Sequence, residues 1–225
     1  MEGNRVTTVV FDLDGTLVDS APDIRAAANR MLADQGLEPL DLPTIISFVG
    51  NGLPKLVERV MQARGLDMAD HSRLSQLTLD HYNAAASDLS ALYPGVRIAL
   101  ERLRVQGYSL GLCTNKPEAP ARHILDHFGL SDLFPVVVGG DTLAVKKPDP
   151  AHLLRTFDQL PEGPRVYVGD SEVDAETAHR AGVPFLLFTE GYRKTPAEAL
   201  PHSARFSDFA ALPDLIATLP QRKSA

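Results

Sequence analysis

The sequence predicts an α/β fold with a Rossmann-like core, in which a parallel sheet carries helices on both faces and a bundle of helices is inserted. Segments with helical periodicity separate the later strands, and strands that are apolar on both faces are typical of parallel sheets covered by helices. The first two strands are instead separated by a long stretch with helical periodicity only. The predicted strands are residues 7–11, 108–113, 136–138, 165–168 and 185–188.

The predicted core helices are residues 96–106, 119–128, 151–160 and 172–181. A helix between two strands brings the chain back to the same edge, so the strands it connects run parallel. Ligands of such sheets bind at the carboxyl ends of the strands. Polar residues that directly follow a strand are therefore the first candidates for a functional site.

The inserted stretch is residues 19–89. A start with proline near the first turn and apolar residues at helical spacing predict a first helix that ends before Gly36. The same spacing predicts a second helix before Gly65 and a third from about residue 72 to 86. We therefore predict a discontinuous core of residues 1–18 and 90–225, and a helical domain of residues 19–89.

The composition limits the partners and the location. A chain of 225 residues with 44% hydrophobic content can bury a substantial core. A net charge of −7 argues against a broad nucleic-acid-binding surface, which needs a basic stripe. No signal pattern is present and no apolar stretch approaches the ~20 residues that span a membrane, so no membrane partner and a cytoplasmic location are expected.

Asp12 and Asp14 come directly after the first strand. Burying two like charges is costly unless something cationic is held between them. A divalent metal is the simplest such partner, and oxygen-only ligands favour Mg²⁺. The segment predicts phosphoryl transfer through Asp12.

Further polar residues follow the later strands, and the topology would bring them to the same edge as Asp12. Thr114 follows the second predicted strand, and Lys147 and Asp170 come after the third and the fourth. Their shared position at strand ends is an independent reason to expect one site.

Four motifs resemble those of the haloacid dehalogenase superfamily of phosphatases, and they occur in the order of that family. They are Asp-x-Asp-Gly-Thr at residues 12–16, Thr-Asn-Lys at 114–116, Lys-Pro at 147–148, and Gly-Asp-x-x-x-Asp at 169–174. The resemblance covers almost the whole chain. It implies that the helical insertion is a mobile cap over the active site.

The resemblance also implies roles for the aspartates. Asp12 is the expected nucleophile, which forms an aspartyl-phosphate and also binds Mg²⁺. Asp14 is the expected general acid for the leaving oxygen and then the base for water, and its backbone carbonyl binds the metal. Asp170 is the expected third metal ligand, and Asp174 is expected behind the ligands or in contact with the metal through water.

Three residues are expected to hold the phosphate. By resemblance, the Thr114 hydroxyl and the Asn115 amide bind its oxygens, while Lys147 neutralises both Asp12 and the phosphate. Between the first two predicted helices of the insertion, Gly50, Asn51 and Gly52 form a loop that is by itself a turn. In the related capped phosphatases this loop contacts the part of the substrate beyond the phosphate.

The expected activity is Mg²⁺-dependent hydrolysis of a small phosphorylated metabolite, with 2-phosphoglycolate preferred by resemblance. Asp14 separates the chain from the dehalogenases of the superfamily, which need no proton donor to a leaving alkoxide. Two alternatives stay open: a phosphatase or phosphomutase for sugar phosphates or nucleotides, and a switch that, like a bacterial receiver domain, is phosphorylated on an aspartate. The motifs do not address the oligomeric state.

Overall fold

The computed structural model describes residues 7–85 and 87–219. The ends of the predicted core and residue 86 of the predicted third helix lie outside these ranges. In chain order, the strands are β1 (Thr8–Phe11), β2 (Val18–Asp19), β3 (Ala91–Leu92), β4 (Ser109–Cys113), β5 (Val136–Val138), β6 (Arg165–Gly169), β7 (Phe185–Phe188) and β8 (Ala204–Phe206).

The α-helices of the described ranges alternate with the later strands and fill the insertion. They are α1 (Ala21–Asp34), α2 (Leu42–Phe48), α3 (Leu53–Arg64), α4 (His71–Ala84), α5 (Val96–Val105), α6 (Glu118–His127), α7 (Ala151–Asp158), α8 (Glu172–Ala181) and α9 (Leu212–Thr218). None of the described helices is long and apolar enough to cross a membrane.

Six strands form one sheet in the order β5-β4-β1-β6-β7-β8, and every neighbouring pair is parallel. Alternate residues of β1 point to opposite faces, as the pleat of a strand requires. Val9 and Phe11 belong to the hydrophobic cluster that includes side chains of α5, α6 and α9, whereas Val10 belongs to the cluster that includes side chains of α7 and α8. The predicted parallel sheet with helices on both faces is confirmed.

The insertion folds around its own hydrophobic cluster. Helices α1 to α4 contribute apolar side chains, among them Met31, Ile45, Val60 and Leu74, that are fully buried against one another. The antiparallel pair of β2 and β3 lies where the chain leaves and re-enters the core. A helical bundle therefore stands between β1 and β4, as the periodicity predicts.

Besides the two-residue strands β2 and β3, three elements were not predicted from the sequence. Strand β8 has only three residues, of which Arg205 is exposed, so it has no strand periodicity to detect. Helix α9 begins with leucine and proline and has seven residues. Helix α2 is also seven residues long, but its Asp41 cap, which accepts a hydrogen bond from the Thr44 N–H, is a start signal that the sequence does contain.

Candidate active site

Asp12 lies at the centre of the sheet edge. It follows β1, whose neighbours in the sheet are β4 and β6. Its backbone N–H donates to the Val168 carbonyl at 2.9 Å, which continues the pairing of β1 with β6. The residues that follow β4 and β6 are consequently placed on either side of the Asp12 carboxylate.

The Lys147 side chain reaches Asp12 through a buried network of hydrogen bonds. Its Nζ donates to Asp12 Oδ1 at 2.9 Å and to Asp174 Oδ1 at 2.7 Å. It also contacts the Tyr167 hydroxyl at 2.8 Å and the Cys113 carbonyl at 3.1 Å. Burial by itself lowers the pKa of Lys147, but the two carboxylates more than offset this effect, and the net pKa is raised. The lysine is therefore charged.

Three carboxylates meet beside this lysine. Asp12, Asp170 and Asp174 each offer an oxygen atom within 4.8 Å of the others, and all three are buried. Asp170 is held by the Thr16 hydroxyl at 2.8 Å and by the Tyr192 N–H at 2.6 Å. The structure therefore brings the predicted ligands Asp12 and Asp170 together, with Asp174 beside them.

The carboxylate cluster has too little positive charge to balance its three acidic groups. Burial raises the pKa of Asp12 to about 7, and Asp174 adds to the increase although Lys147 opposes it. Burial, followed by the charges of Asp174 and Asp12, raises the pKa of Asp170 well above its usual range. Burial also acts to raise the pKa of Asp174, but the Lys147 charge and hydrogen bond outweigh it and lower that pKa. The three carboxylates face a single ammonium group, and their ligand atoms are all oxygens. This combination suits a bound divalent cation.

Asp14 lies at a tight turn beside this cluster. Gly15 has a φ of +86°, and a Cβ added there would lie 2.6 Å from Asp170 Oδ2, so only glycine fits. The Asp14 carboxylate accepts hydrogen bonds from the Ser20 hydroxyl at 2.5 Å and from Lys116 Nζ at 3.0 and 3.2 Å. These contacts fix the orientation of a carboxyl group two residues after Asp12, the predicted nucleophile.

Thr114 and Asn115 follow β4 and have different environments. The Thr114 hydroxyl oxygen accepts a hydrogen bond from the Lys116 N–H at 3.2 Å, which leaves its proton free for another acceptor. The Asn115 side chain is structural: Nδ2 donates to the Lys147 carbonyl at 3.1 Å, and Oδ1 accepts from the Lys147 N–H at 3.0 Å. The role of the Asn115 backbone amide in phosphate binding stays a prediction.

The loop between α2 and α3 contacts the core at this edge. Asn115 Nδ2 also donates to the Gly50 carbonyl at 3.0 Å, and Lys194 Nζ donates to the Val49 carbonyl at 3.1 Å. Gly52 has a φ of +82°, and a Cβ added there would lie 3.2 Å from the Asn115 carbonyl oxygen. Asn51 instead accepts a hydrogen bond from Arg59 at 3.0 Å.

A cavity lies between the helical bundle and the sheet edge. The core contributes its polar wall, including Asp12, Asp14, Lys116 and Lys147. The bundle contributes a mainly apolar wall that consists of Ile24, Ala27, Val49, Gly50, Gly52, Leu53, Leu56, Thr78, Leu79 and Tyr82. A small molecule bound there would have one end among charges and the other against the bundle.

A buried carboxylate beside a buried lysine, a carboxylate cluster suited to a cation and a hydroxyl donor are the features of a phosphoryl-transferring hydrolase. The sequence model of the haloacid dehalogenase-like hydrolases matches residues 9–188. The chain belongs to this family, and it is a phosphatase.

Individual relatives agree with this assignment. The chain is 52% identical to a phosphoglycolate phosphatase of Cereibacter sphaeroides strain ATCC 17025 over 92% of its length and 96% of the relative. It is 45% identical to a phosphoglycolate phosphatase of Rhodobacter capsulatus, with 92% and 95% covered. The crystal structure of a predicted phosphoglycolate phosphatase from Haemophilus somnus 129PT is similar with a TM-score of 0.89, 31% identity, and coverage of 95% and 99%.

Some residues of the site were not found from the sequence. Lys116 is part of the quoted Thr-Asn-Lys motif, but nothing in the sequence shows that its side chain turns to Asp14. Tyr167 lies within strand β6 and looks like an ordinary core residue, although its hydroxyl donates to Asp174 at 2.7 Å. Tyr192 follows β7 in a loop, and its position after a strand is the one signal that could have identified it.

Proposed function

We propose that the chain hydrolyses 2-phosphoglycolate to glycolate and phosphate through an aspartyl-phosphate at Asp12, with Mg²⁺ as the cation. The observation that carries the proposal is the contact of Lys147 Nζ with Asp12 Oδ1 at 2.9 Å. It keeps a buried carboxylate next to a fixed positive charge, where a phosphate dianion can approach. The names of the relatives support the choice of substrate.

One oxygen of the Asp12 carboxylate is the attacking atom, and Lys147 Nζ lies 2.9 Å from Oδ1 of the same group. The attacking oxygen forms a bond to phosphorus while the bond from phosphorus to the glycolate oxygen breaks, and Asp14 gives a proton to the glycolate oxygen. Water then attacks phosphorus, Asp14 takes up its proton, and phosphate leaves with the Asp12 carboxylate restored. The Thr114 hydroxyl donates to a phosphate oxygen throughout.

Asp12, the Asp14 backbone carbonyl and Asp170 would hold Mg²⁺, with Asp174 behind them. Their oxygen atoms are the donors that Mg²⁺ prefers. When bound, Mg²⁺ supplies the positive charge that the buried carboxylates lack and that the transferring phosphoryl group requires. Asp174 already bonds to Lys147 and Tyr167, so it positions the lysine.

We also propose that residues 19–89 act as a cap on a core of residues 1–18 and 90–225. The bundle has its own hydrophobic cluster and closes one wall of the cavity. Gly50 and Gly52 line that wall, whereas Asn51 supports the loop through Arg59. The proposed partner is a small phosphorylated metabolite, and the proposed location is the cytoplasm.

Phosphate release from a substrate panel tests the function. The panel contains 2-phosphoglycolate, hexose phosphates, nucleoside monophosphates and phosphoserine, each with Mg²⁺ and with excess chelator. We expect metal-dependent release with a strong preference for 2-phosphoglycolate. Metal-dependent release with another preference would keep the mechanism and change the substrate, while a stable phosphoprotein without steady release would favour a switch.

A further inference from the structure

We propose that Lys116 and Tyr82 form a subsite for the carboxylate of the substrate, at the border between the core and the helical bundle. The inference rests on the proposed function, because 2-phosphoglycolate has a carboxylate two bonds from its ester oxygen. Such an anion needs positive charge or hydrogen-bond donors that the phosphate does not use.

Lys116 is a buried cation with unused donor capacity. Its side chain lines the cavity, and the residue is 9% exposed. Within the described ranges, the hydrogen bonds of its Nζ all go to the two oxygens of Asp14, at 3.0 and 3.2 Å. An ammonium group has three N–H donors, so one carboxylate does not satisfy it. Burial by itself lowers the pKa of Lys116, but the adjacent Asp14 carboxylate outweighs this, and the raised pKa keeps the lysine charged.

The Tyr82 hydroxyl is an unpaired donor in the same place. Tyr82 is on α4 of the bundle, lines the cavity and is only 4% exposed. Its hydroxyl is buried without a hydrogen-bond partner among the described residues. Lys116 Nζ lies 4.6 Å from the centre of the Tyr82 ring, so the two side chains are neighbours. A buried hydroxyl without a partner is costly, and a ligand oxygen would satisfy it.

The chemistry of the substrate places its carboxylate near these two groups. Asp14 must reach the ester oxygen in order to protonate it, and Lys116 Nζ is 3.0 Å from Asp14. The carboxyl group follows the ester oxygen after a single methylene. A substrate with its phosphorus at Asp12 therefore carries its second anion to the neighbourhood of Asp14, where Lys116 lies.

The other lysines that line the cavity are less suitable. Lys147 Nζ already contacts four acceptors within 3.1 Å, which is more than its three N–H groups can serve fully. Lys194 is exposed, and its Nζ donates to the Val49 carbonyl. Lys116 is the cation that combines burial, a place beside Asp14 and a free donor. Because Tyr82 belongs to the bundle, the subsite would also connect recognition of the substrate to closure of the cavity.

The test compares 2-phosphoglycolate with ethyl phosphate, in which a methyl group replaces the carboxylate. We expect Lys116→Met to lower kcat/KM for both esters, because Asp14 loses a partner, but by about 100-fold more for 2-phosphoglycolate. Tyr82→Phe, which removes one oxygen atom, is expected to cost about 10-fold more with 2-phosphoglycolate than with ethyl phosphate. The inhibition constant of inorganic phosphate should stay within about threefold, because that anion does not reach the subsite.

Lys55→Met is the matched control, since Lys55 is an exposed bundle lysine that pairs with Glu58. It should leave the ratio of the two kcat/KM values unchanged. If Lys116→Met and Tyr82→Phe each lower kcat/KM equally for both esters, the carboxylate subsite is overturned. Lys116 would then serve only to orient Asp14. A wild-type protein that does not prefer 2-phosphoglycolate to ethyl phosphate would instead overturn the proposed function. Tyr82→Phe keeps the test decisive if Lys116→Met does not fold.

Discussion

Lys147 joins Asp12 to the acidic helix α8: its Nζ lies 2.9 Å from Asp12 Oδ1 and 2.7 Å from Asp174 Oδ1. These carboxylates follow different strands, β1 and β6, and both are buried. Lysine and Asp174 together therefore fix the position of Asp12 at the sheet edge. Removing the lysine would leave two buried carboxylates without a counter-charge. This costs more stability than removing a lysine that is exposed on the surface.

Lys147→Met tests this relationship. We expect turnover to be lost and the free energy of unfolding at pH 7.5 to decrease by about 3–5 kcal/mol, because buried charges lose their partner. The loss should be smaller at pH 5.5, where the orphaned carboxylates can take up protons. Urea unfolding at the two pH values measures it, with the exposed neighbour Lys146→Met as control. An equal, small effect of both substitutions would contradict the proposed role of the buried lysine.

Asp12→Asn removes the proposed nucleophile while the volume of the side chain is conserved. We expect kcat to fall by at least about 10⁴-fold, because an amide cannot form the aspartyl-phosphate. The fold should persist, since one buried negative charge is removed from a crowded cluster. Phosphate release and thermal unfolding measure the two effects, with Asp12→Ala as a check against deamidation. Substantial turnover by both variants would exclude covalent catalysis.

The stability of the metal-free protein should depend on pH because of Asp12. Burial raises its pKa from 3.8 to about 7, so between these values the folded state binds more protons than the unfolded state. Stability is therefore expected to decrease as the pH rises from about 4 to 7, by about 4 kcal/mol at most from this group. The raised pKa of Asp170 acts in the same direction, whereas the lowered pKa of Asp174 matters only below its usual value of 3.8.

Urea unfolding in the presence of a chelator, repeated between about pH 4 and 7, measures how steeply the free energy of unfolding changes with pH. Asp12→Asn should make the slope shallower, and added Mg²⁺ should stabilise the protein more at pH 8 than at pH 5, because the carboxylates are then ionised. A slope of opposite sign, or the same slope in Asp12→Asn, would contradict the assignment.

Gly52→Ala should affect catalysis, in contrast to its control Gly65→Ala. Both glycines have positive φ, +82° at Gly52 and +67° at Gly65. Gly65 has a ψ of +28° and is left-handed helical, so alanine there should cost about 1 kcal/mol of stability. Gly52 has a ψ of +165°, a region that essentially only glycine adopts, so the expected cost there is about 1–3 kcal/mol. Only at Gly52 would the Cβ meet a neighbour, the Asn115 carbonyl oxygen at 3.2 Å, whereas nothing lies within 4 Å at Gly65. We expect kcat/KM to fall several-fold in Gly52→Ala alone; similar kinetics for both variants would remove the loop from the mechanism.

The parallel core could be predicted because apolar strands and helical periodicity alternate clearly in the sequence. Short elements escaped prediction, since β8 and α2 contain too few residues for a period to appear. The sequence also predicted which residues follow the strands, and the structure brings Asp12, Lys147 and Asp170 to one edge.

Side-chain direction was the part that the sequence could not supply. Asn51 turns to Arg59, although it lies between two cavity-lining glycines. Lys116, one residue after Asn115, turns to Asp14. Such choices depend on contacts between residues that are far apart in the chain, so they appear only when the fold is assembled.

The central claim is that Asp12 becomes phosphorylated during turnover. It is tested most directly by mixing the Mg²⁺-loaded enzyme with 2-phosphoglycolate, stopping the reaction in acid within one turnover, and locating phosphate on peptides by mass spectrometry. We predict a phosphorylated peptide with the modification on Asp12, which appears before free phosphate, decays as phosphate is released, and is absent in Asp12→Asn. Full phosphate release without any phosphorylated Asp12 peptide would contradict the account.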